Sequence, residues 1–298
     1  MNGIINVYKE KGYTSHDVVA KLRGICHQKK IGHTGTLDPD AEGVLPVCLG
    51  SATKVCDLIT DKDKEYEAVL LLGKETDTQD VSGAVLKETK VICTQLEVQN
   101  AITSFIGAYE QIPPMYSALK VNGRKLCDLA RAGIEIERKP RSVQIYEIDT
   151  EWIHLPRVKI KVHCSKGTYI RTLCHDIGQK LGCGGCMEEL LRTKAGIFCV
   201  EKAVKLSEIQ KRAEKDTLAD LLQPIDSLFP DYPKAGVKEE YRKMLLNGNR
   251  LPEQAFDLRV GSLAGQECFC VYLDHLFFGI YRRDKGRGDF KPVKIFGL

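Results

Sequence analysis

The sequence predicts an α+β fold built on a mixed, largely antiparallel sheet, with a small β-domain at its C-terminal end. Three observations carry that expectation. Period-2 strands and capped helices alternate without the regular rhythm of a βαβ chain. A proline cluster at Pro224, Pro230 and Pro233 interrupts the chain. Beyond it the pattern changes to short apolar runs, CFCVYL and LFFGIY.

The elements follow in order. Ser15 begins a helix with Val18, Leu22 and Ile25 on one face. Tyr66, Ala68, Leu70 and Leu72 read as a strand. Thr94 and Glu97 form a capping-box pattern ahead of Val98, Ala101, Ile102 and Phe105. Val143 and Ile145 mark a further strand. Val158, Ile160, Val162 and Cys164 alternate with Lys159, Lys161 and His163 in another. Leu173, Ile177 and Leu181 space a helix that Gly182 ends. Ser207 and Gln210 are expected to cap one more, running towards Leu221 and Leu222. Pro113 and Pro114 open, and Pro140 nearly closes, a segment that reads as an arm on the main domain. The expected division is a large domain over residues 1–230, with the arm at about 112–141, and a small domain over 231–298.

The bulk numbers narrow the function classes. The chain has 298 residues, 43% hydrophobic and 28% charged, an ordinary soluble composition. No apolar run approaches the roughly 18 residues of a membrane helix. The N-terminus lacks a charged-then-apolar layout. A cytoplasmic protein without a membrane partner is expected.

The net charge is +4, but it is unevenly placed. Residues 18–37 carry Lys21, Arg23, Lys29 and Lys30 with no acid, and residues 120–141 carry seven basic against three acidic groups. Focused positive charge suits a polyanion. It also suits two solvated faces, and charge alone does not choose. The 12 cysteines are scattered. They read as reduced thiols that pack as small apolar groups. Cys183 and Cys186 form a CxxC with Cys174 and His175 nearby, but the spacing matches no common zinc pattern. No metal and no cofactor are expected.

The chemistry concentrates at residues 33–54, HTGTLDPDAEGVLPVCLGSATK. Glycines and prolines prescribe a tightly shaped loop. Asp38 stands before Pro39, which alone would read as a turn. The whole segment resembles the catalytic loop of the TruB-type tRNA pseudouridine synthases. Four further segments resemble that family in the same order: KEYEAVLLLGKETDTQD at 64–80, IPPMYSALKVNGRKLCDLARAG at 112–133, HCSKGTYIRTLCHDIGQKLGCGG at 163–185 and LLRTKAGIF at 190–198. The part beyond about residue 230 resembles the family's short PUA-like tail more weakly. Glu42 departs from the family pattern. It is expected to face away from Asp38, because the loop continues normally into Gly43.

The resemblance implies a pseudouridine-synthase fold and isomerisation of uridine 55 in the T loop of tRNA, with the T-arm stem-loop as the binding partner. It implies Asp38 as nucleophile, at C1′ of the ribose or C6 of the base, both open to a carboxylate. Arg171 is the implied counter-charge. Tyr66 is the implied stacking residue, its hydroxyl placed for the C5 proton, and Tyr169 the second aromatic wall. Tyr169 and Arg171 are two apart, so on a strand they would face the same way. Leu190 is an implied apolar wall, Asp80 an implied RNA contact and His33 the wedge that fills the stack when the base flips out. Taken singly, the tyrosines and Leu190 read equally well as core. Lys120, Arg124, Lys125 and Arg131 of the arm would lie along phosphates. The intact SALKVNGRKL run favours an enzyme that works alone over a guide-RNA-dependent relative. A non-catalytic RNA binder would need the basic faces but not Asp38, Tyr66 and Arg171.

Overall fold

The computed structural model describes residues 1–257, 267–284 and 286–297. The first part of the chain runs β1 (Gly3–Lys9), α1 (Ser15–Ile25), β2 (Ile31–His33), β3 (Glu42–Leu49), α2 (Cys56–Thr60) and β4 (Lys64–Leu72). A hairpin of β5 (Lys74–Thr76) and β6 (Val85–Glu88) leads to α3 (Gln95–Thr103) and β7 (Gly107–Gln111). The arm holds β8 (Lys120–Val121), β9 (Arg124–Lys125) and α4 (Leu126–Arg131). Then come β10 (Arg141–His154), β11 (Arg157–Cys164), α5 (Ile170–Lys180), β12 (Gly185–Ala195), β13 (Phe198–Cys199), β14 (Val204–Lys205) and α6 (Leu206–Glu214). The chain ends with β15 (Lys234–Gly236), α7 (Arg242–Leu246), β16 (Cys268–Leu273), β17 (Leu276–Arg283) and β18 (Phe290–Ile295).

The main sheet has the order β14-β1-β3-β12-β4-β11-β10-β7, with β13 beside β12 and β2 beside β3. Its neighbours are antiparallel except β1 with β14 and β3 with β12. The parallel β3–β12 contact brings two distant stretches, the strand after the Asp38 loop and the LLRTKAGIF segment, side by side. Alternation explains the strands: β11 buries Val158, Ile160, Val162 and Cys164 and turns its lysines out. The apolar faces of α3 and α5 close over that side, with Ile102, Leu173 and Ile177 fully buried. A second cluster joins α1 and α6 to β1 and β3 through Val18, Leu22 and Ile209.

Local signals set the helix ends. Thr94 and Glu97 form the expected capping box on α3. Thr14 and Asp17 form another on α1. Gly182 follows α5 with φ +72°. Two expectations need correction. Helix α6 starts at Leu206 behind Lys205, with no side-chain cap from Ser207. Starting there buries Leu206 and Ile209 together in the core. It also stops at Glu214, well short of Leu221, because Asp216 turns left-handed at φ +57°. Second, Tyr169 and Arg171 are not on a strand: Tyr169 is the N-cap of α5 and Arg171 lies in its first turn.

The arm carries a small core of its own, Met115, Leu126 and Leu129, which leaves its charged side chains outside. Strands β15 to β18 form a separate four-stranded sheet. That sheet shares a core with the main one, where Ile280 and Phe296 pack with Ile4, Val44, Ile59 and Phe198. No helix among the described residues is long and apolar enough to cross a membrane.

Candidate active site

Asp38 stands in the loop between β2 and β3, and the loop is pinned from several sides. Ser15 Oγ accepts a hydrogen bond from Leu37 N at 2.9 Å and donates to Leu37 O at 3.2 Å. Gly12 N donates to Pro39 O at 2.9 Å. The fully buried Lys9 donates to the same carbonyl at 3.0 Å. Leu37 and Ala41 anchor the loop's apolar side in the core. What remains free is the Asp38 carboxylate, whose side chain is 34% exposed.

Arg171 meets that carboxylate at 3.3 Å. Its guanidinium is buried and shared. The same Nη2 donates to Tyr116 O of the arm at 2.6 Å, and Nη1 lies 3.7 Å from Asp80. Asp80 is itself fixed by Thr78 Oγ1 at 2.8 Å and Ser82 N at 3.0 Å. Asp80 therefore stands behind Arg171 as a second anion. Arg171 also lies over the Tyr169 ring, 5.9 Å from its centroid. The helix start achieves what a strand was expected to achieve, placing cation and ring together.

Burial pushes the Asp38 carboxyl above its ordinary value, and Asp80 and Asp40 add to the rise. Arg171 and Lys9 pull it back. Glu42 acts on the Tyr8 phenol, whose pKa is raised first by burial and then by the Glu42 charge. Burial lowers Lys9 to about 8, so it remains mostly cationic at neutral pH.

Tyr66, on β4, is 9% exposed, and burial raises its phenol. The charge of Arg192 opposes that rise. Leu190 of β12 pairs with Ala68 and packs at the edge of the same core. His33 ends β2, half-buried, with the exposed His16 ring edge-on at 5.2 Å. Burial lowers its pKa, which keeps a neutral, stackable ring at the rim. Lys120, Arg124, Lys125 and Arg131 are exposed on the arm. Among the described residues no group of three or more histidine, cysteine or acidic side chains is arranged to hold a metal ion.

Two site residues escaped the sequence reading, Lys9 and Arg192. Both are charged side chains with essentially no exposure. Arg192 had a legible signal: it lies two residues from Leu190, so on a strand both face the same way.

A carboxylate pressed on a buried guanidinium, open to solvent and flanked by two tyrosines, combines a nucleophile, its counter-charge and flat surfaces for a base. The comparisons give that arrangement its class. The fold matches the Cbf5–Nop10–Gar1 complex structure with a TM-score of 0.72 at 26% identity, over 99% of this chain and 84% of that one. It also matches the structure of an H/ACA RNP bound to a substrate RNA containing 2′-deoxyuridine, with a TM-score of 0.71 at 23% identity. The fold is that of the pseudouridine synthases. Residues 23–170 match the TruB family pseudouridylate synthase N-terminal domain, and residues 171–230 match the tRNA pseudouridylate synthase B C-terminal domain. Proteins named tRNA pseudouridine synthase B are 54% identical in Lachnoclostridium phytofermentans, over 99% of this chain and all of that one, and 48% identical in Alkaliphilus oremlandii, over 100% and 98%. The chain belongs to the TruB family of pseudouridylate synthases, which are isomerases.

Proposed function

We propose that the chain converts uridine 55 in the T loop of tRNA to pseudouridine, alone and with Asp38 as the nucleophile. The observation that carries the reading is the Asp38–Arg171 contact at 3.3 Å, with the Tyr169 ring against Arg171 and Tyr66 within reach of the Asp38 charge. The reaction breaks the C1′–N1 bond, turns the uracil, forms a C1′–C5 bond and removes the proton from C5. Asp38 attacks C1′ or C6, and the guanidinium of Arg171 favours its anionic form. Tyr66 and Tyr169 hold the ring by stacking, worth about 1–3 kcal/mol per base, while leaving it free to turn. Leu190 excludes water on a third side. His33 fills the gap left by the flipped base. Asp80 acts through Arg171 and is the implied RNA contact.

Lys120, Arg124, Lys125 and Arg131 lie along the T-arm phosphates, and residues 231–298 form a second, PUA-like contact with the RNA. The names of the relatives support tRNA as the substrate. The arm's own core supports action without a protein partner. The test is the purified chain incubated with a T-arm hairpin, followed by nucleoside mapping. Pseudouridine at that one position is expected. Product only after adding another protein or a guide RNA would point instead to a ribonucleoprotein enzyme.

A further inference from the structure

Arg192 is a buried arginine, 1% exposed, that forms no ion pair among the described residues. An uncompensated charge in a sheet interior is costly, and a leucine or methionine would fill the space more cheaply. Its surroundings indicate what the charge serves. On one side its cross-strand neighbour is Tyr66 of β4. On the other its parallel neighbour is Gly43 of β3. Gly43 has φ +103°, and a Cβ there would lie 2.3 Å from the Arg192 carbonyl oxygen, so glycine is what lets the two strands approach. The register of β12 shifts just after Arg192, as a bulge does where a side chain is re-aimed.

The guanidinium spans this junction. Nε donates to Val44 O at 2.7 Å, Nη2 to Gly35 O at 3.3 Å and Nη1 to Thr36 O at 3.5 Å. These carbonyls belong to the Asp38 loop and the strand that follows it. Tyr66, its cross-strand partner, lies beside it on the same face of the sheet, where the guanidinium charge opposes the rise in the phenol's pKa. One fork therefore holds the nucleophile's loop while it stands beside the tyrosine, a geometry that lysine's single ammonium cannot reproduce.

We propose that Arg192 is a positioning residue of the isomerisation, holding the Asp38 loop in register with Tyr66 so that the tyrosine oxygen takes the C5 proton of the uracil. The inference rests on the roles given to Asp38 and Tyr66 above. In the assisted step the C5–H bond breaks after C5 has joined C1′. Its electron pair forms the C5–C6 double bond as C6 gives up the pair it held in the intermediate, to N1 or to the Asp38 carboxylate, and N1 ends by taking a proton from water. The C5 proton passes to the Tyr66 oxygen as the phenol's own proton leaves to water, so the buried phenol does not ionise beforehand. The neighbouring guanidinium stabilises the negative charge that develops on that oxygen.

The experiment compares the intact chain with Arg192→Lys in single-turnover reactions at saturating T-arm hairpin, with uridine or 5-deuterouridine at the target. The variant is expected to lose roughly tenfold or more in rate, part of the 10²–10⁴ that a positioned proton acceptor supplies. Its deuterium effect is expected to exceed that of the intact chain, because C5 proton removal becomes limiting. Hairpin affinity should stay within about threefold, since Arg192 touches no RNA. An unchanged rate and isotope effect would overturn the proposal.

Should the lysine variant fail to fold, Arg192→Gln, a smaller neutral donor, carries the same comparison. It is expected to show the same rate loss and enlarged isotope effect; the intact chain's rate and isotope effect in that variant would overturn the proposal. No pseudouridine from the intact chain would instead overturn the function reading, and this inference with it.

Discussion

Burial raises the proton affinity of the Asp38 carboxyl, while Arg171 lowers it. The net direction is upward from 3.8, with a stated consequence for rate. Attack needs the anion, so activity is full above the raised pKa and falls as pH drops through it. The acid limb of the single-turnover rate should therefore have its midpoint above 3.8. A midpoint at or below that value would show that Arg171, not burial, sets the balance. At this scale the sequence showed part of the site and hid the rest. Asp38, Tyr66 and Arg171 sit in long, shaped motifs. Lys9 and Arg192 are isolated cations, which in sequence look like solvated ones. Only the fold reveals that β1 and β12 carry them inward.

At the scale of elements, the arm is a miniature domain. Met115, Leu126 and Leu129 hold it together, Arg138 ties its two ends by donating to Pro113 O at 3.1 Å, and the cations project outward. Prolines at both ends made its limits readable. Reversing the charge of Lys120, Arg124 and Lys125 should weaken hairpin binding and flatten the salt slope by about one unit per lost phosphate contact. An unaltered slope would mean that RNA takes another path. The arm also reaches the chemistry, since Tyr116 O shares the Arg171 nitrogen that meets Asp38. No sequence pattern announces that contact, because the acceptor is a backbone carbonyl. Capping boxes, by contrast, are local: the one on α3 was readable, while α6 followed the core instead of Ser207.

At the scale of the whole molecule, the alternating strands and the change of pattern after the prolines made an α+β chain with a terminal sheet readable. The strand order was not, since it depends on the parallel β3–β12 contact between residues far apart in sequence. That contact puts Arg192 beside the Asp38 loop and so assembles the site. The terminal sheet is also joined more closely than a linker suggests: Lys54 donates to Ile295 O at 2.7 Å, Lys294 meets Asp57 at 2.8 Å, and Ile280 and Phe296 enter the common core. The proposed reaction turns on one carboxylate, and Asp38→Asn removes its charge while keeping its shape. Hairpin titration and pseudouridine mapping on one preparation measure both consequences. The account predicts no product, with a dissociation constant within about tenfold of the intact chain, roughly 1.4 kcal/mol, because phosphate contacts, stacking and the wedge remain while only transition-state bonding is lost. Pseudouridine formed at a substantial fraction of the normal rate would contradict it.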